Sequence, residues 1–140
     1  MNDDKIKDKL LKLHKNSYVP ISNFPVSSCV IMKDGRKFYG VNVEDASTRA
    51  RTCAERNAIF AAITAGYTKG DFSEVDVMIS SGEIGTPCLV CRQMISELFD
   101  KDSVVRCYST KGDYKEYTVK RLCPFPFEED DLKWDVDLLV

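Results

Sequence analysis

Histidine is nearly missing from this sequence: His14 is the only one. It stands in the N-terminal stretch, far from every cysteine, and reads as a surface residue and not a ligand. A surplus of positive charge is also missing. Lys and Arg number 20 against 22 Asp and Glu, a formal charge of -2, so no overall positive field draws the chain to nucleic acid. No stretch approaches the ~20 apolar residues that a bilayer crossing needs, so no membrane partner is expected. The opening Met1-Asn2-Asp3-Asp4-Lys5 is charged and no apolar run follows. A secretory leader is therefore not expected, and a cytoplasmic protein is. Internal repeats, low-complexity segments and obvious linkers are absent as well. What remains is a chain of 140 residues, 44% hydrophobic, which predicts a single domain over 1–140 with an ample core.

Cysteine, by contrast, is plentiful, with six. A secreted disulfide scaffold is the bland reading, and the missing leader argues against it. Cys29, Cys107 and Cys123 lie in apolar or strand-like settings and read as small buried hydrophobes. Cys88 and Cys91 have the C-x-x-C interval of zinc sites. On the first turn of a helix this interval puts both sulfurs on one side of the helix end, where the dipole favours thiolate. Cys53 can supply a third ligand. Three protein ligands leave one zinc position for water, which marks a catalytic site. Glu55, two residues from Cys53, is either a fourth ligand that closes the site or a proton carrier beside that water. A purely structural zinc site would need a further ligand, and no other cysteine or histidine has a useful spacing. A redox C-x-x-C would not require Cys53 or Glu55.

Three thiolates and Zn2+ sum to -1, which makes a bound water less acidic than at a neutral site. Arg56 lies one turn after Cys53 on the same helix face and can donate to a thiolate. Arg92 adjoins Cys91 and is a second, weaker candidate for such support. Like charge beside Glu55 pushes its carboxyl pKa upward, which suits a group that must accept a proton and then release it.

The hydrophobic pattern predicts a helix from Asp3 to about Asn16, with Ile6, Leu10, Leu13 and Ser17 on one face, lysines on the other and Asn2, Asp3 or Asp4 as cap. It packs on the sheet in preference to a membrane surface. A loop over Tyr18–Phe24, where Pro20 stops the helix, leads to a strand at Ser27–Met32. A turn at Lys33-Asp34-Gly35 and a return strand at Lys37–Val43 complete a hairpin. A buried helix runs from near Thr52, whose hydroxyl could cap it, to about Ala65. There follow a strand at Val75–Ser80, a helix at Cys88–Leu98 with Met94, Ile95 and Leu98 inward, strands at Val104–Ser109 and Tyr114–Thr118, and a short helix at Val119–Leu122. This order predicts an α/β fold: a three-layer α-β-α sandwich with a five-stranded mixed sheet. Ligands in such sheets gather where strand ends meet helix starts, and both cysteine segments are helix starts. Glu128–Asp131 and the tail from Trp134 to Val140 carry no identifiable chemistry.

Cys53-Ala54-Glu55 followed by Pro87-Cys88-Leu89-Val90-Cys91 resembles the signature of zinc nucleobase deaminases. With Phe24-Pro25-Val26, Asn42-Val43-Glu44 and Arg92-Gln93 in order, the chain resembles the small, homotetrameric cytidine deaminases that act on free nucleosides. The likeness runs from about Phe24 to Phe127. It implies a three-layer fold, a homotetramer, a Zn2+ cofactor and hydrolysis of cytidine and 2′-deoxycytidine to the uridines in pyrimidine salvage. Zinc-bound hydroxide would attack C4, with Glu55 shuttling protons. It also implies that Phe24 packs on the base, Asn42 and Glu44 bind the ribose 3′-hydroxyl, Ala54 offers backbone groups to the base edge, and Arg56 bonds a thiolate. In Leu122-Cys123-Pro124-Phe125-Pro126-Phe127, Phe127 matches a residue that covers the ligand of a neighbouring subunit; packing within its own chain is the alternative. Thr48 replaces a tyrosine, Ser27 a glycine, and Leu89-Val90 a Gly-Ala pair, while Arg49 and Arg51 are unusual neighbours. These departures leave open a modified cytosine nucleoside such as blasticidin S as substrate, while the reaction type survives them better; a non-catalytic zinc-stabilised binding protein is the alternative from another class.

Overall fold

Why the chain folds as it does begins with the hairpin. Asp34 accepts a hydrogen bond from the Arg36 amide at 3.0 Å and Gly35 takes a φ of 91°, the left-handed conformation a tight turn needs. β1 (Val26–Met32) and β2 (Lys37–Val41) pair antiparallel on either side of it, from Ile31 opposite Lys37 to Ser27 opposite Val41. The computed structural model describes residues 3–133; the possible cap Asn2 and the tail Trp134–Val140 lie outside the described residues.

The remaining elements are α1 (Asp3–Leu13) with a 3-10 turn (His14–Asn16), α2 (Ala54–Thr64), β3 (Phe72–Ile79), α3 (Leu89–Leu98), β4 (Phe99–Tyr108), β5 (Tyr114–Thr118), α4 (Val119–Leu122) and a 3-10 turn over Glu129–Leu132. The strands form one five-stranded sheet ordered β2-β1-β3-β4-β5. β3 and β4 run parallel, and the other three pairings are antiparallel. This is the mixed sheet the sequence predicts. β3 and β4 begin earlier than expected, at Phe72 and Phe99, because these two rings pair across the strands with centroids 4.9 Å apart.

Alternate residues of each strand face opposite sides, and two hydrophobic layers result. Cys29, Ile31, Met78 and Tyr108 face α1, which buries Ile6 and Leu10 against them. Val30, Met32, Val75, Val77, Val105 and Cys107 face the other way, packed under Ala58, Ile59 and Ala62 of α2, Ile95 of α3 and Val119 of α4. Burial of this apolar surface is the main driving force for the fold. The burial expected of α2 holds along one stripe, Ala54, Ala58, Ile59 and Ala62, while Phe60 and Ile63 are exposed. His14 is not a plain surface residue either. It is half-buried, with Nε2 3.0 Å from the carbonyl oxygen of Met78, and it ties the end of α1 to the end of β3. Cys29 and Cys107 are buried as expected, but Cys123 is only partly so, because it follows α4 at the edge of the core.

One close contact decides where α2 begins. A Cβ on Gly40 of β2 would lie 2.4 Å from the Ala54 carbonyl oxygen and 2.5 Å from the Ala58 nitrogen. Only glycine lets the first turns of the helix rest on the strand backbone. Asn57 adds a hydrogen bond to the Val41 carbonyl at 2.7 Å. Gly40→Ala is therefore expected to lift the start of α2 and destabilise the protein by about 1–3 kcal/mol, the usual cost of overpacking. Urea denaturation followed by circular dichroism measures this, and unchanged stability would show that the helix accommodates the methyl group.

Candidate active site

Helix starts normally carry Ser, Thr, Asp or Asn at the N-cap, where a side-chain oxygen accepts an orphan amide. Here α2 and α3 both carry cysteine there, Cys53 and Cys88, and neither makes a side-chain cap bond. The expected cap Thr52 instead donates its hydroxyl to the Ala50 carbonyl at 3.2 Å. Freed from capping, the two sulfurs turn toward each other and lie 3.5 Å apart. Cys91, in the first turn of α3 and fully buried, completes a group whose three Sγ atoms all lie within 4.8 Å of one another. Cys88 is thus one position before the helix it was expected to begin, and Cys53 takes the cap position expected of Thr52.

Three thiols so close cannot ionise independently. The hydrogen bond from Cys91, with the Arg56 guanidinium, holds the Cys53 thiol down to about 5. Cys91 is pushed up, by its neighbour Cys53 first and then by burial. The first thiolate forms easily, and the second must form beside it. A divalent cation removes that repulsion, and three convergent sulfurs are a donor set suited to zinc. Arg56 donates from Nη2 to Cys53 Sγ at 3.5 Å, as the helix spacing predicts.

Glu55 lies beside this group and is 3% exposed. Burial, then the charge of Cys53, pushes its carboxyl up to about 7. It stands outside the cluster of convergent ligand atoms found among the described residues. A buried carboxyl that can gain or lose a proton near neutrality is suited to proton transfer.

The other predicted residues take more varied places. Ala54 is fully buried. Asn42 accepts from the Val26 amide at 2.8 Å and donates to the Phe24 carbonyl at 2.9 Å. Glu44 accepts from the amides of Ile21 and Ser22, both at 3.1 Å. Its carboxyl is held below the usual range, chiefly by Ser22. Both side chains shape the loop that carries the partly exposed Phe24, and each keeps hydrogen-bonding capacity beyond these contacts. Phe127 is 56% exposed. It borders an open groove of about 930 Å3 whose lining includes Phe99, Val119 and Pro126 but none of the three clustered cysteines. Arg92 does not reach a thiolate. It donates to the Pro87 carbonyl, the Leu122 carbonyl and the Thr86 hydroxyl at 2.7, 3.1 and 2.6 Å, and so braces the turn before Cys88. Gly40 was not legible as a contributor to this site, since it acts on the backbone of α2; Arg92 was legible as a support, but its carbonyl and hydroxyl partners were not.

A three-layer α/β fold with three thiols at paired helix starts and a buried carboxyl alongside is the architecture of a zinc-dependent hydrolase. The comparisons narrow this. The family model "Cytidine and deoxycytidylate deaminase zinc-binding region" matches residues 1–107, a span holding all three cysteines and Glu55. A cytidine deaminase of Sporosarcina psychrophila is 33% identical over 134 residues, covering 96% of this chain and 97% of that protein. One of Halalkalibacterium halodurans is 35% identical over 122 residues, with coverage of 87% and 91%. The crystal structure of the cytidine deaminase from Burkholderia pseudomallei superposes with a TM-score of 0.85 at 33% identity, covering 91% of this chain and all of that one. The chain belongs to the cytidine deaminase family. It is an enzyme, a zinc-binding deaminase, and the reading as a non-catalytic binding protein falls away.

Replacing Cys88 with alanine is expected to abolish stoichiometric zinc and much of the folded protein, because metal binding contributes to folding. Arg56→Gln is expected to fold but to hold zinc roughly 10–100-fold more weakly, the usual cost of losing a partner that orients a ligand. Competition with a chelating dye measures both. Wild-type zinc retention in Arg56→Gln would mean that its contact with Cys53 carries no weight.

Proposed function

We propose that this enzyme hydrolyses cytidine and 2′-deoxycytidine to uridine and 2′-deoxyuridine, releasing ammonia in pyrimidine salvage. Cys53, Cys88 and Cys91 hold the zinc, which when bound lowers the pKa of water and supplies a nucleophile at neutral pH. Glu55 takes a proton from the attacking water and delivers it to N3 of the pyrimidine. It then carries a second proton to the amine, whose bond to C4 breaks as ammonia departs and the carbonyl forms. The observation that carries this reading is the burial of Glu55 beside the three thiols, outside the ligand cluster, with its carboxyl raised to about 7.

The remaining roles belong to the same reading. Phe24 packs on the flat base, Ala54 meets its edge, and Asn42 and Glu44 hold the sugar through the capacity their loop contacts leave free. Phe127 covers the nucleoside. The chain works as one domain in a cytoplasmic homotetramer. Exposed apolar side chains at Leu89, Val90, Phe125 and Phe127 support assembly, since a neighbouring copy would cover them. No helix among the described residues is long and apolar enough to cross a membrane. Neither membrane nor nucleic acid is a proposed partner. A second reading, deamination of a modified cytosine nucleoside such as blasticidin S, is favoured by one feature. Leu89, 76% exposed, and Val90 put bulk between the metal-binding cysteines.

Loss of cytidine absorbance with ammonia release tests the reaction, and parallel assays with 2′-deoxycytidine and blasticidin S separate the two readings. Glu55→Gln is expected to keep one zinc per chain while kcat falls on the order of 10²–10⁴-fold, the range for a lost acid–base group. Loss of zinc in this variant would make Glu55 a ligand and overturn its role as proton carrier.

A further inference from the structure

Two consecutive residues after the metal-binding cysteines have a second set of contacts that the reaction does not use. Arg92 bonds the Leu122 carbonyl at 3.1 Å. Gln93 bonds Phe127 twice: its Nε2 donates to the Phe127 carbonyl at 2.6 Å, and its Oε1 accepts from the Phe127 amide at 3.3 Å. Arg92 and Gln93 thus pin both ends of the strap Cys123-Pro124-Phe125-Pro126-Phe127 to α3, the helix that carries Cys91. A third contact, from Gln93 Nε2 to Glu97 Oε1 at 3.0 Å, steadies the Gln93 side chain.

Hydrophobic burial does not hold this strap. Phe125 is 95% exposed and Phe127 56% exposed, and an open groove runs beneath Cys123, Pro124, Pro126 and Phe127. Pro124 and Pro126 fix their own φ angles and stiffen the segment, but stiffness alone does not set its position. The polar pins do. Two hydrogen bonds to one residue's backbone fix where that residue sits, and the ring of Phe127 follows its backbone.

We propose that Gln93 is a positioning residue for substrate affinity: by gripping the Phe127 backbone it registers the covering ring against the helix that bears the metal site. This rests on the covering role of Phe127 given above. It holds whether the ring covers the nucleoside of its own chain or of a second copy, since in both cases the ring must leave α3 at a set place.

The test is a double-mutant cycle on cytidine deamination in the zinc-loaded enzyme, with zinc content measured for every variant. Gln93→Met keeps the length of the side chain and removes both bonds to Phe127. It is expected to raise KM roughly fivefold to tenfold, the effect of losing two modest hydrogen bonds, with kcat within about twofold and zinc unchanged. Phe127→Ala is expected to raise KM at least as much, and the double variant no further than Phe127→Ala alone. If Phe127→Ala raises KM and Gln93→Met does not, or if the two effects add, Gln93 does not act through the ring and the inference fails while the covering role stands. If Phe127→Ala leaves KM unchanged, the covering role fails and the inference with it. A fall in kcat or zinc in Gln93→Met without a KM change would assign Gln93 to the metal turn instead.

Discussion

Three sulfur atoms within 4.8 Å of one another are the constraint on which the rest of the structure depends. Thiolates at that spacing repel, and Cys91 is fully buried, where a charge is costly. Several features offset the cost. Two helix N-termini point their positive ends at the group. Arg56 places a guanidinium on Cys53. A cation bound by the three sulfurs would remove the repulsion outright. The hydrophobic layers do not favour this convergence on their own. They supply a scaffold stiff enough to hold it.

The sheet order explains how two cysteine segments far apart in sequence meet. α2 follows β2 and α3 follows β3, and both helices pack on the face opposite α1. In the order β2-β1-β3-β4-β5 only β1 separates the strands that precede the two helices, so their starts fall side by side. Gly40 brings α2 down onto β2, and Arg92 braces the turn before Cys88. α3 then has a double duty. Its first turn carries Cys91, and its next residues hold the C-terminal strap. The cysteine cluster and the segment ending at Phe127 are thereby both anchored to one helix.

Much of this was readable in advance. The hairpin announces itself through Asp34-Gly35, and alternation marks the strands. The Cys53, Glu55, Cys88 and Cys91 pattern carries a specific chemistry because zinc restricts both ligand type and spacing. Other features were not readable. Thr52 looks like the better cap, yet Cys53 takes the position because its sulfur finds partners on α3. Arg92 looks like a thiolate partner from its adjacency to Cys91, but it turns to backbone carbonyls. Cys123 looks like core and is half out of it.

The sequence by itself determined the elements, the ligand types and the presence of a carboxyl beside them, because these follow from local periodicity and from the chemistry of named side chains. Tertiary structure alone decided that Cys53 and Cys88 touch, that Gly40 must have no side chain, and that Glu55 is buried enough for its carboxyl to rise to about 7. Those facts depend on distances between segments, and a distance across a fold is set by packing and not by spacing along the chain.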